Sequence, residues 1–368
     1  MSARLELLDR FDVRIAIIGG GVMGCTTALA LADRGLDAVV LERAVPGAEA
    51  SSAAAGVLGA QVELHGSEAD LNLFVRARDG WAAWAGALRE ATGIDVGYRV
   101  SGVLRVARAD REGIELEREV GWQAGHGLRA SLLDASRARE VEPELATNIA
   151  GAAYFPDDAQ VDPSTLLRAL MALLARSARV TVRSGATVHR LLVERDRCVG
   201  VGLDDGELRA DATVLAAGSW SSLVAGLPTD LPAVRPIRGQ IVVLDERPPR
   251  VKTIVFGAGG YLVPRGDGRV VCGSTMENAG FRKEVTAAGM HAVLSAVLAC
   301  VPSLGRAQVA GMWSNFRPRV DSDRALVGRS PLPGLLLATG HYRNGILLSK
   351  VTADAVAQEA LSLLSVTP

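Results

Sequence analysis

The sequence predicts a mixed α/β fold with two domains, and three observations support this expectation. Near the start, a short apolar run is followed by a glycine-rich turn, a helix-length segment and a second apolar run. Strand and helix signals alternate again in the middle and at the end of the chain, which is typical of a parallel sheet. After residue 235, several short β-like segments follow one another, which indicates an antiparallel sheet. The length of 368 residues is also typical of two domains.

The first unit is predicted to be a strand, a helix and a second strand. The strands are the short apolar runs Asp12–Ile18 and Asp37–Leu41, and the helix is Cys25–Arg34. The turn between the first strand and the helix satisfies the pattern G-x-G-x-x-G. The three glycines of the pattern are Gly19, Gly21 and Gly24.

Each glycine of this pattern has a physical reason. Gly19 permits the tight turn, Gly21 lets the backbone approach a pyrophosphate, and Gly24 lets the helix pack close to the strand. The N–H groups at the helix start would face the phosphates. Glu42, 18 residues beyond Gly24, is placed to accept hydrogen bonds from an adenosine ribose. The unit therefore predicts dinucleotide binding rather than a glycine-rich turn in an ordinary α/β protein.

A loop and a long helix are predicted next. Pro46–Gln61 is rich in small residues, and its backbone N–H groups could cradle a phosphate or the edge of a planar ring, although a flexible loop has the same composition. Asp70–Ala91 reads as one long helix. Its tryptophans Trp81 and Trp84 are expected in the core rather than in a binding site.

The middle of the chain begins with a helix that has a clear start signal. Asp162 is a suitable N-cap, and Pro163 suits the first helical position. The apolar segments Val180–Val182, Thr187–Val193 and Cys198–Leu203 then resemble a small β-meander.

The second half contains most of the strand signals. Ala212–Gly218 reads as a buried strand that ends at a glycine turn, and Arg235–Leu244 opens the β-rich region. Gly266-Asp267-Gly268 is a hairpin signal between two short strands. Leu335–Thr339 and Gly345–Leu364 form a closing strand and helix. We therefore expect a dinucleotide-binding domain from residues 1–75, 150–230 and 320–368, and a substrate domain from residues 76–149 and 231–319.

Composition and charge exclude several classes of protein. The 40 Lys and Arg residues balance 41 Asp and Glu residues, so no general attraction to nucleic acid or anionic membrane is expected. The four cysteines lack metal-like spacing, which predicts neither a metal site nor a disulfide framework. The first residues, MSARLELLDRFD, lack the apolar run of a signal peptide, and no apolar stretch is long enough to span a bilayer. A cytoplasmic protein is the expectation.

Further motifs follow the glycine turn in a fixed order. They are VVLER, SSAAAGVLGAQ, ATVLAAGSWS, GGYLVPRGDGRVVCGSTM, SNFRP and GHYRNGILLS. With IIGGGVMG at their head, these motifs resemble those of the D-amino acid oxidase-type family of FAD-dependent oxidoreductases, and most of all those of its glycine oxidases of thiamine (thiazole) biosynthesis. The resemblance covers almost the whole chain. It implies a Rossmann-like FAD-binding domain with a discontinuous, antiparallel-sheet substrate domain.

The resemblance implies non-covalent FAD, and no cysteine lies in the C-terminal segment that could attach it covalently. Val22 and Met23 would lie beside the pyrophosphate, and Val188 beside the adenine half. The N-terminus of the last helix would stabilise negative charge on the reduced ring. The cofactor-binding residues that the resemblance implies are Gly19, Gly21, Val22, Met23, Gly24, Glu42, Arg43, Ser51, Ser52, Ala55, Gly56, Val57, Val188, Gly218, His341, Tyr342, Arg343, Asn344, Gly345, Ile346 and Leu347.

The resemblance also implies a substrate site. Arg317 matches the family's carboxylate-binding arginine, and an arginine fork can hold a carboxylate through two parallel hydrogen bonds. Tyr261 matches its carboxylate-binding tyrosine, while Met276 and Arg343 match pocket positions. Phe256 falls where the family can carry an aromatic residue. From the residues alone, Arg317 could be a solvated arginine before Pro318 at a strand end, Tyr261 a core tyrosine, and Met276 general packing. Arg343 could equally tie down the glycine turn, and His341 is expected to order its loop rather than act as a base.

The implied reaction is oxidative deamination of a small amino acid, glycine first, by hydride transfer to the flavin. Oxygen would reoxidise the flavin and be reduced to hydrogen peroxide. The imino product would be hydrolysed by water or consumed by a thiazole-forming partner. The resemblance also suggests a homo-oligomer. Alternatives are an oxidase of sarcosine, a D-amino acid or a larger amine, a dehydrogenase with another electron acceptor, and a non-catalytic FAD-binding subunit. An NAD-dependent dehydrogenase would explain only the first motif.

One segment departs from the family pattern. After Pro318 the chain reads RVDSDRALVG, Arg319–Gly328, without the family's usual glycine and proline. Asp321, Asp323 and Arg324 add charge there. The conformation of this loop, and with it the choice of amine substrate, is therefore left open by the sequence.

Overall fold

The structure is a computed structural model that describes residues 13–64, 68–322 and 324–365. Asp12, the expected start of the first strand, and Asp323 of the atypical loop lie outside the described residues. The helices in these ranges are α1 (Val22–Ala32), α2 (Ala50–Ala53), α3 (Glu68–Asp79), α4 (Trp81–Thr92), α5 (Asp110–Gly125), α6 (Ala135–Val141), α7 (Pro163–Arg176), α8 (Ala287–Cys300) and α9 (Gly345–Ser365). The strands are β1 (Val13–Ile18), β2 (Ala38–Glu42), β3 (Val57–Leu58), β4 (Arg99–Val100), β5 (Val103–Ala107), β6 (Ser131–Asp134), β7 (Gly151–Phe155), β8 (Ala159–Gln160), β9 (Val180–Ser184), β10 (Val188–Glu194), β11 (Arg197–Leu203), β12 (Gly206–Leu215), β13 (Val234–Asp245), β14 (Ile254–Gly257), β15 (Gly260–Pro264), β16 (Arg269–Gly273), β17 (Gln308–Val320), β18 (Leu326–Arg329) and β19 (Leu335–Thr339).

The first sheet is built around the glycine-turn unit. Its main order is β10-β11-β12-β1-β2-β9, and β19 pairs with β12 and β18. Strand β1 runs parallel to β2 and β12, and β19 runs parallel to β12. Successive side chains of β1 alternate between two core clusters: Ile15 and Ile17 pack with the helices, while Ala16 and Ile18 pack with β11 and β12. The parallel sheet that the sequence predicts is confirmed.

The second sheet has the order β17-β13-β16-β15-β14-β5-β7-β6. Its neighbours are antiparallel except β14 and β5, which are parallel. Helix α8 covers one face, with Val293 and Val297 in the same cluster as Leu262 and Val242. The expected hairpin is present, since β15 and β16 are joined through Gly266-Asp267-Gly268. The predicted α/β fold class with a second, largely antiparallel sheet is confirmed.

The chain contributes to the two sheets in alternation. Strands of the first sheet come from residues 13–42, 180–215 and 326–339, and those of the second from residues 103–155 and 234–320. Strand β7 pairs with β5 in the second sheet, although residues 150–230 were expected in the first domain. The domain boundaries remain a prediction.

The single helix expected at Asp70–Ala91 is wrong, because the chain forms α3 and α4 with Gly80 between them. Glycine is a weak helix former, and Trp81 turns into the core directly after it. The Trp81 indole is 1% exposed, and its Nε1 donates to the Leu347 carbonyl of α9 at 3.0 Å. The expectation that Trp81 is a core residue is confirmed; Trp84 packs against it with ring centroids 4.6 Å apart.

The predicted meander is wrong in its first strand. Residues Val180–Val182 belong to β9, which pairs in parallel with β2 rather than with β10. Because β9 follows α7, it completes a crossover next to β2, the favoured connection between parallel strands. The meander itself consists of β10, β11 and β12. The start of α7 is as expected, since Asp162 accepts hydrogen bonds from Ser164 N and Thr165 N at 3.0 and 3.2 Å.

No helix within the described ranges is long and apolar enough to cross a membrane. All four cysteines are buried free thiols, and burial raises the pKa of Cys25 and Cys272 to about 12. They are small residues of the core, as buried free cysteines usually are.

The close packing at Gly24 gives a first prediction. A Cβ atom built at Gly24 would lie 1.9 Å from the Gly19 carbonyl oxygen, so Gly24→Ala must push α1 away from the turn. We expect a loss of about 3 kcal/mol or more in the free energy of unfolding, measured by thermal or denaturant unfolding. Gly86→Ala is the control, because this exposed glycine of α4 has no neighbour within 4 Å. That change should stabilise the protein by roughly 0.5–1 kcal/mol. Equal effects of the two variants would contradict the close contact between Gly24 and the Gly19 carbonyl.

Candidate active site

A large cavity lies where β1, β2 and β12 end, and it extends to the face of the second sheet. Its volume is about 410 Å³, which lies within the range of about 300–1,000 Å³ that is usual for pockets that bind small ligands. Its position matches the general rule for open parallel sheets, in which ligands bind beyond the carboxyl ends of the strands.

Most residues that the sequence singles out line this cavity. Those that do so are Gly19, Gly21, Val22, Met23, Glu42, Arg43, Ser51, Ala55, Gly56, Val57, Val188, Gly218, Phe256, Tyr261, Arg317, His341, Tyr342, Arg343, Asn344, Gly345 and Ile346. Four others are not part of its wall: Gly24, Ser52, Met276 and Leu347. Gly24 lies under the turn, Leu347 is in the core, and the Ser52 hydroxyl donates to the Glu49 carbonyl at 3.3 Å.

The glycine turn brings the start of α1 to the cavity. Gly19 has φ +104°, and an added Cβ would lie 2.5 Å from the Ala216 carbonyl oxygen, so the turn passes directly against the end of β12. No side chain caps α1 at Gly21. The Val22 N–H donates to Ser51 Oγ at 2.9 Å, which fastens the small-residue loop to the helix start. Free N–H groups and the positive end of a helix at this place suit a pyrophosphate.

Glu42 is fixed at the end of β2. Its Oε2 accepts a hydrogen bond from Gly20 N at 2.8 Å, and its Oε1 accepts one from Ala44 N at 2.9 Å. Each oxygen keeps acceptor capacity for the hydroxyl groups of a ribose. Gly20 also belongs to this site, although no role was predicted for it: an added Cβ would lie 3.0 Å from Glu42 Cβ. Its place as the middle glycine of the GGG run in IIGGGVMG was the sequence signal that could have identified it.

An aromatic residue and an ion-pair chain flank the same end of the cavity. The Arg43 guanidinium lies 3.7 Å from the centre of the Trp220 ring. Arg43 also pairs with Glu49 at 2.8 Å, and Glu49 pairs with Lys283 at 2.7 Å. Trp220 and Glu49 line the cavity, although no role was predicted for either residue. The motif ATVLAAGSWS contains Trp220, but its contact with Arg43 depends on packing between distant segments.

Arg317 lies inside strand β17, where it pairs with Ile237 of β13. The expectation that it stands at a strand end is wrong, because β17 continues through Pro318 to Val320. Proline is tolerated there because β17 is an edge strand and needs no N–H donor on its outer side. The guanidinium donates to the Thr275 carbonyl at 3.3 Å and to Ser274 Oγ. Gly239 leaves the space it occupies, since an added Cβ would lie 2.3 Å from Arg317 Nη1.

Tyr261 approaches the same place from β15. Its ring stacks on Phe256 with centroids 5.3 Å apart, and its hydroxyl lies against Gly273, where an added Cβ would be 2.9 Å away. Gly273 directly precedes Ser274, which contacts Arg317. Tyr261 and Arg317 therefore converge on the segment 273–275 at the wall of the cavity. Within the described ranges no ion pair is recorded for Arg317, so its charge is available to an anion.

His341 is buried, and its Nε2 lies 2.9 Å from Thr352 Oγ1 of α9. Burial lowers the pKa of His341 to about 3, so the imidazole is neutral at physiological pH. Its geometry fits the predicted ordering of the loop before α9, because the ring ties that loop to the helix.

Arg343 and Met276 lie at the margin of the end of the cavity that contains Arg317 and Tyr261, which we call the substrate end because the sequence predicts a substrate site there. Arg343 Nη2 donates to Glu63 Oε1 at 2.5 Å, and Nη1 lies 3.8 Å from Met276 Sδ. The Tyr342 hydroxyl donates to the same sulfur at 3.4 Å, while Met276 is 61% exposed. Burial opposes the charge of Arg343, but the Glu63 carboxylate outweighs it and raises the pKa of Arg343. The ion pair to Glu63 was not predicted.

A buried polar cluster binds the backbone that directly precedes Glu63. Asp158 is fully buried and accepts hydrogen bonds from Gln61 N at 3.1 Å and from Val62 N at 2.9 Å. Burial raises the pKa of Asp158 to about 7, despite these bonds and Arg78 at 3.7 Å. Burial also raises the pKa of Glu119 to about 7, against the pull of Arg105.

The glycine turn, the fixed acid at the end of β2 and the adjoining arginine site define a dinucleotide-binding protein with a second site for a small anion. The sequence matches the family described as FAD dependent oxidoreductase over residues 14–359. The chain belongs to this family. The predicted FAD cofactor and the predicted oxidoreductase class are thereby confirmed.

Individual relatives are similar over almost the whole chain. A glycine oxidase from Geobacillus kaustophilus is 36% identical over 356 residues, which are 95% of this chain and 93% of that protein. A bifunctional protein ThiO/ThiG from Trichormus variabilis is 35% identical over 349 residues, 93% of this chain and 52% of that protein. The chain thus spans about half the length of the bifunctional relatives it matches.

Solved structures agree with the fold. The crystal structure of glycine oxidase from Geobacillus kaustophilus matches with a TM-score of 0.90 at 34% identity, covering 96% of this chain and 95% of that one. Iminodiacetate oxidase from a Chelativorans species matches with a TM-score of 0.85 at 27% identity, covering 95% of each chain.

The raised pKa of Asp158 predicts how stability depends on pH. A carboxyl whose pKa is raised by folding, here from 3.8 to about 7, favours the folded state below pH 4 and loses that contribution as the pH rises to 7. Asp158→Asn keeps an acceptor oxygen but cannot ionise. We expect the variant to gain stability relative to the wild type as pH rises from 4 to 7, by up to ~1.4 kcal/mol per pH unit.

Thermal unfolding of both proteins between pH 4 and 8 measures this difference. Asp79→Asn, at a carboxylate that is 60% exposed in the same cluster, is the control and should leave the slope unchanged. Parallel curves for wild type and Asp158→Asn would rule out the titration of Asp158 in this range.

Proposed function

We propose that this chain catalyses the FAD-dependent oxidation of a small amino acid, with glycine as the first candidate. The observation that carries the proposal is the position of Arg317. Its guanidinium faces the cavity that also contains the glycine turn, and its recorded partners in the described chain are the neutral oxygens of Ser274 and Thr275. The names of the glycine oxidase relatives support the same substrate.

Arg317 and Tyr261 would bind the substrate carboxylate. An arginine fork accepts both carboxylate oxygens at once, and the tyrosine hydroxyl can donate a further hydrogen bond. The stacking of Tyr261 on Phe256 and the contact of Arg317 with segment 274–275 hold both groups in place before substrate arrives. Their main contribution is orientation, since a fixed carboxylate leaves the α-carbon few positions to occupy.

FAD, when bound, supplies the acceptor for a hydride from the α-carbon, and oxygen restores it with formation of hydrogen peroxide. The substrate amine binds as the neutral form, whose lone pair assists the departure of the hydride. The start of α9 lines the cavity at Asn344, Gly345 and Ile346, where its dipole would favour negative charge. The imino product is released to water or to a further enzyme.

Three further points are part of the proposal. A thiazole-forming partner is supported by the relatives named bifunctional protein ThiO/ThiG, in which the matching part is joined to a second part of similar length. A homo-oligomer follows from the sequence resemblance and is tested by light scattering of the purified protein. A cytoplasmic location likewise stays a proposal.

The experiment is anaerobic mixing of the flavin-loaded protein with glycine, sarcosine, D-alanine and D-proline in turn. We expect glycine to bleach the flavin absorption and air to restore it with one peroxide per substrate oxidised. Failure of every amine to bleach the flavin would contradict the proposed function. Bleaching that air does not reverse would assign the electrons to another acceptor.

Removal of the arginine fork gives a further prediction. Arg317→Ala should raise the KM for glycine at least ~30-fold, because truncating a desolvated charge partner costs about 2–5 kcal/mol. Arg317→Lys should recover little, since lysine cannot form the bidentate pair. Flavin content should remain unchanged in both variants, because Arg317 lies at the substrate end.

Steady-state kinetics with spectral measurement of bound flavin test this expectation. Arg235→Ala is the control, since Arg235 lies on neighbouring strand β13 in an exposed pair with Asp321. An Arg317→Ala enzyme with the KM of the Arg235→Ala enzyme would remove Arg317 from the site.

A further inference from the structure

The substrate end of the cavity contains two arginines in unlike electrostatic settings. Arg317 and Arg343 both line the cavity, and both reach the segment 274–276: Arg317 Nη1 lies 3.3 Å from the Thr275 carbonyl oxygen, and Arg343 Nη1 lies 3.8 Å from Met276 Sδ. Both therefore contact the same short segment, and Tyr261 also acts electrostatically on Arg343. Arg343 is paired with a carboxylate, whereas no ion pair is recorded for Arg317 within the described chain.

The carboxylate that distinguishes them is Glu63. Its Oε1 accepts from Arg343 Nη2 at 2.5 Å, and its side chain is 12% exposed while still lining the cavity. The pair is partly exposed at the cavity wall, with 30% of the Arg343 side chain accessible, and each charge offsets the other. The pair therefore has little net charge to offer a ligand, although it presents both an acidic and a basic group to the cavity.

The backbone holds Glu63 in this position. It belongs to a tight turn in which Glu63 N donates to the Gly59 carbonyl at 3.3 Å. The two preceding N–H groups, of Gln61 and Val62, are bound to the buried Asp158 carboxylate. The turn cannot shift without breaking these bonds, so Glu63 cannot easily withdraw to make room for a second anion.

We propose that Glu63 determines how many negative charges the substrate can carry. By pairing with Arg343, it leaves Arg317 as the binding site for one carboxylate and rejects ligands whose second carboxylate would have to lie beside Arg343. Such a group would have to displace Glu63 or lie next to it, and like charges placed side by side repel strongly. Glu63 is thus a positioning residue that acts through Arg343. This inference rests on the proposed function, because it assumes a carboxylate bound at Arg317.

Two ligands of almost equal size can separate the effect of ligand charge on binding from the effect of ligand shape. Malonate has two carboxylates, and malonamate has one carboxylate and one neutral amide. Both can be titrated into the flavin-loaded protein, and the shift of the flavin absorption gives their dissociation constants without turnover. In the wild type we expect malonamate to bind more tightly than malonate.

Glu63→Gln removes the charge but keeps the shape. We expect it to improve malonate binding relative to malonamate by about tenfold or more, as the removal of a facing like charge requires. Glu63→Asp keeps the charge and should retain the wild-type preference. Arg343→Met leaves Glu63 unpaired and should shift the preference further toward malonamate, the opposite direction to Glu63→Gln. The double variant Glu63→Gln/Arg343→Met should lose the gain, because the second carboxylate then has no cation to bind.

The outcomes distinguish this inference from the proposed function. An unchanged malonate-to-malonamate ratio in Glu63→Gln, or the same gain in the double variant, would overturn the role of Glu63. If Glu63→Gln fails to hold flavin, the opposite shift expected for Arg343→Met still tests the charge argument. Failure of all amines to reduce the wild-type flavin would contradict the proposed function, whatever the ligand ratio.

Discussion

The structure depends most on the crossing at the glycine turn, where three backbone segments meet without a side chain between them. A Cβ at Gly24 would fall 1.9 Å from the Gly19 carbonyl oxygen, and one at Gly19 would fall 2.5 Å from the Ala216 carbonyl oxygen. This contact fixes β1, α1 and the end of β12 relative to one another. The start of α1 consequently opens into the cavity beside Ser51, which binds Val22 N, and Glu42 is held next to it through Gly20 N. The cofactor end is thus defined by backbone geometry more than by side chains.

The substrate end is organised by charge instead. A cation in a low-dielectric site is costly unless it is paired, so the neutral partners of Arg317 leave it best stabilised when an anion binds. Arg343 avoids that cost through Glu63. His341 adds no charge, because its burial keeps the ring neutral. Within the described residues, the cavity therefore combines a fixed carboxylate, Glu42, at one end with an arginine that has only neutral partners, Arg317, at the other.

The features that the sequence predicts well are those that depend on residues close together in the chain. The β1–α1–β2 unit, the Asp162 cap and the hairpin at Gly266-Asp267-Gly268 each depend on residues a few positions apart, whose conformations follow from turn and capping chemistry. The break at Gly80 was missed because a single glycine is tolerated in many helices, and here the docking of Trp81 on α9 decided it.

Contacts between distant segments could not be predicted in the same way. The pair Arg343–Glu63 joins residues 280 positions apart, and Arg43 meets Trp220 only because the two segments pack at the same cavity mouth. The family motifs nevertheless point to most of the cavity wall, since they follow the backbone turns at the ends of the strands. They give no partner for a charged side chain, which is why Glu63 and Glu49 were absent from the predicted site.

The buried Arg265 links the cofactor end of the cavity to its substrate end. Arg265 follows β15 in the second sheet, and its guanidinium donates to the carbonyls of Ala55 and Val161 at 2.6 and 2.9 Å and to Gln160 Oε1 at 2.7 Å. Burial lowers the pKa of Arg265 to about 10, so it is still charged at neutral pH and keeps all three bonds. Ala55 belongs to the small-residue loop that Ser51 fastens to α1, whereas Tyr261 lies on β15, four residues before Arg265. The small-residue loop and β15 are therefore parts of one hydrogen-bonded unit. If Tyr261 and Arg317 hold the substrate as proposed, this unit positions it relative to the glycine turn, although the two sites lie in different sheets.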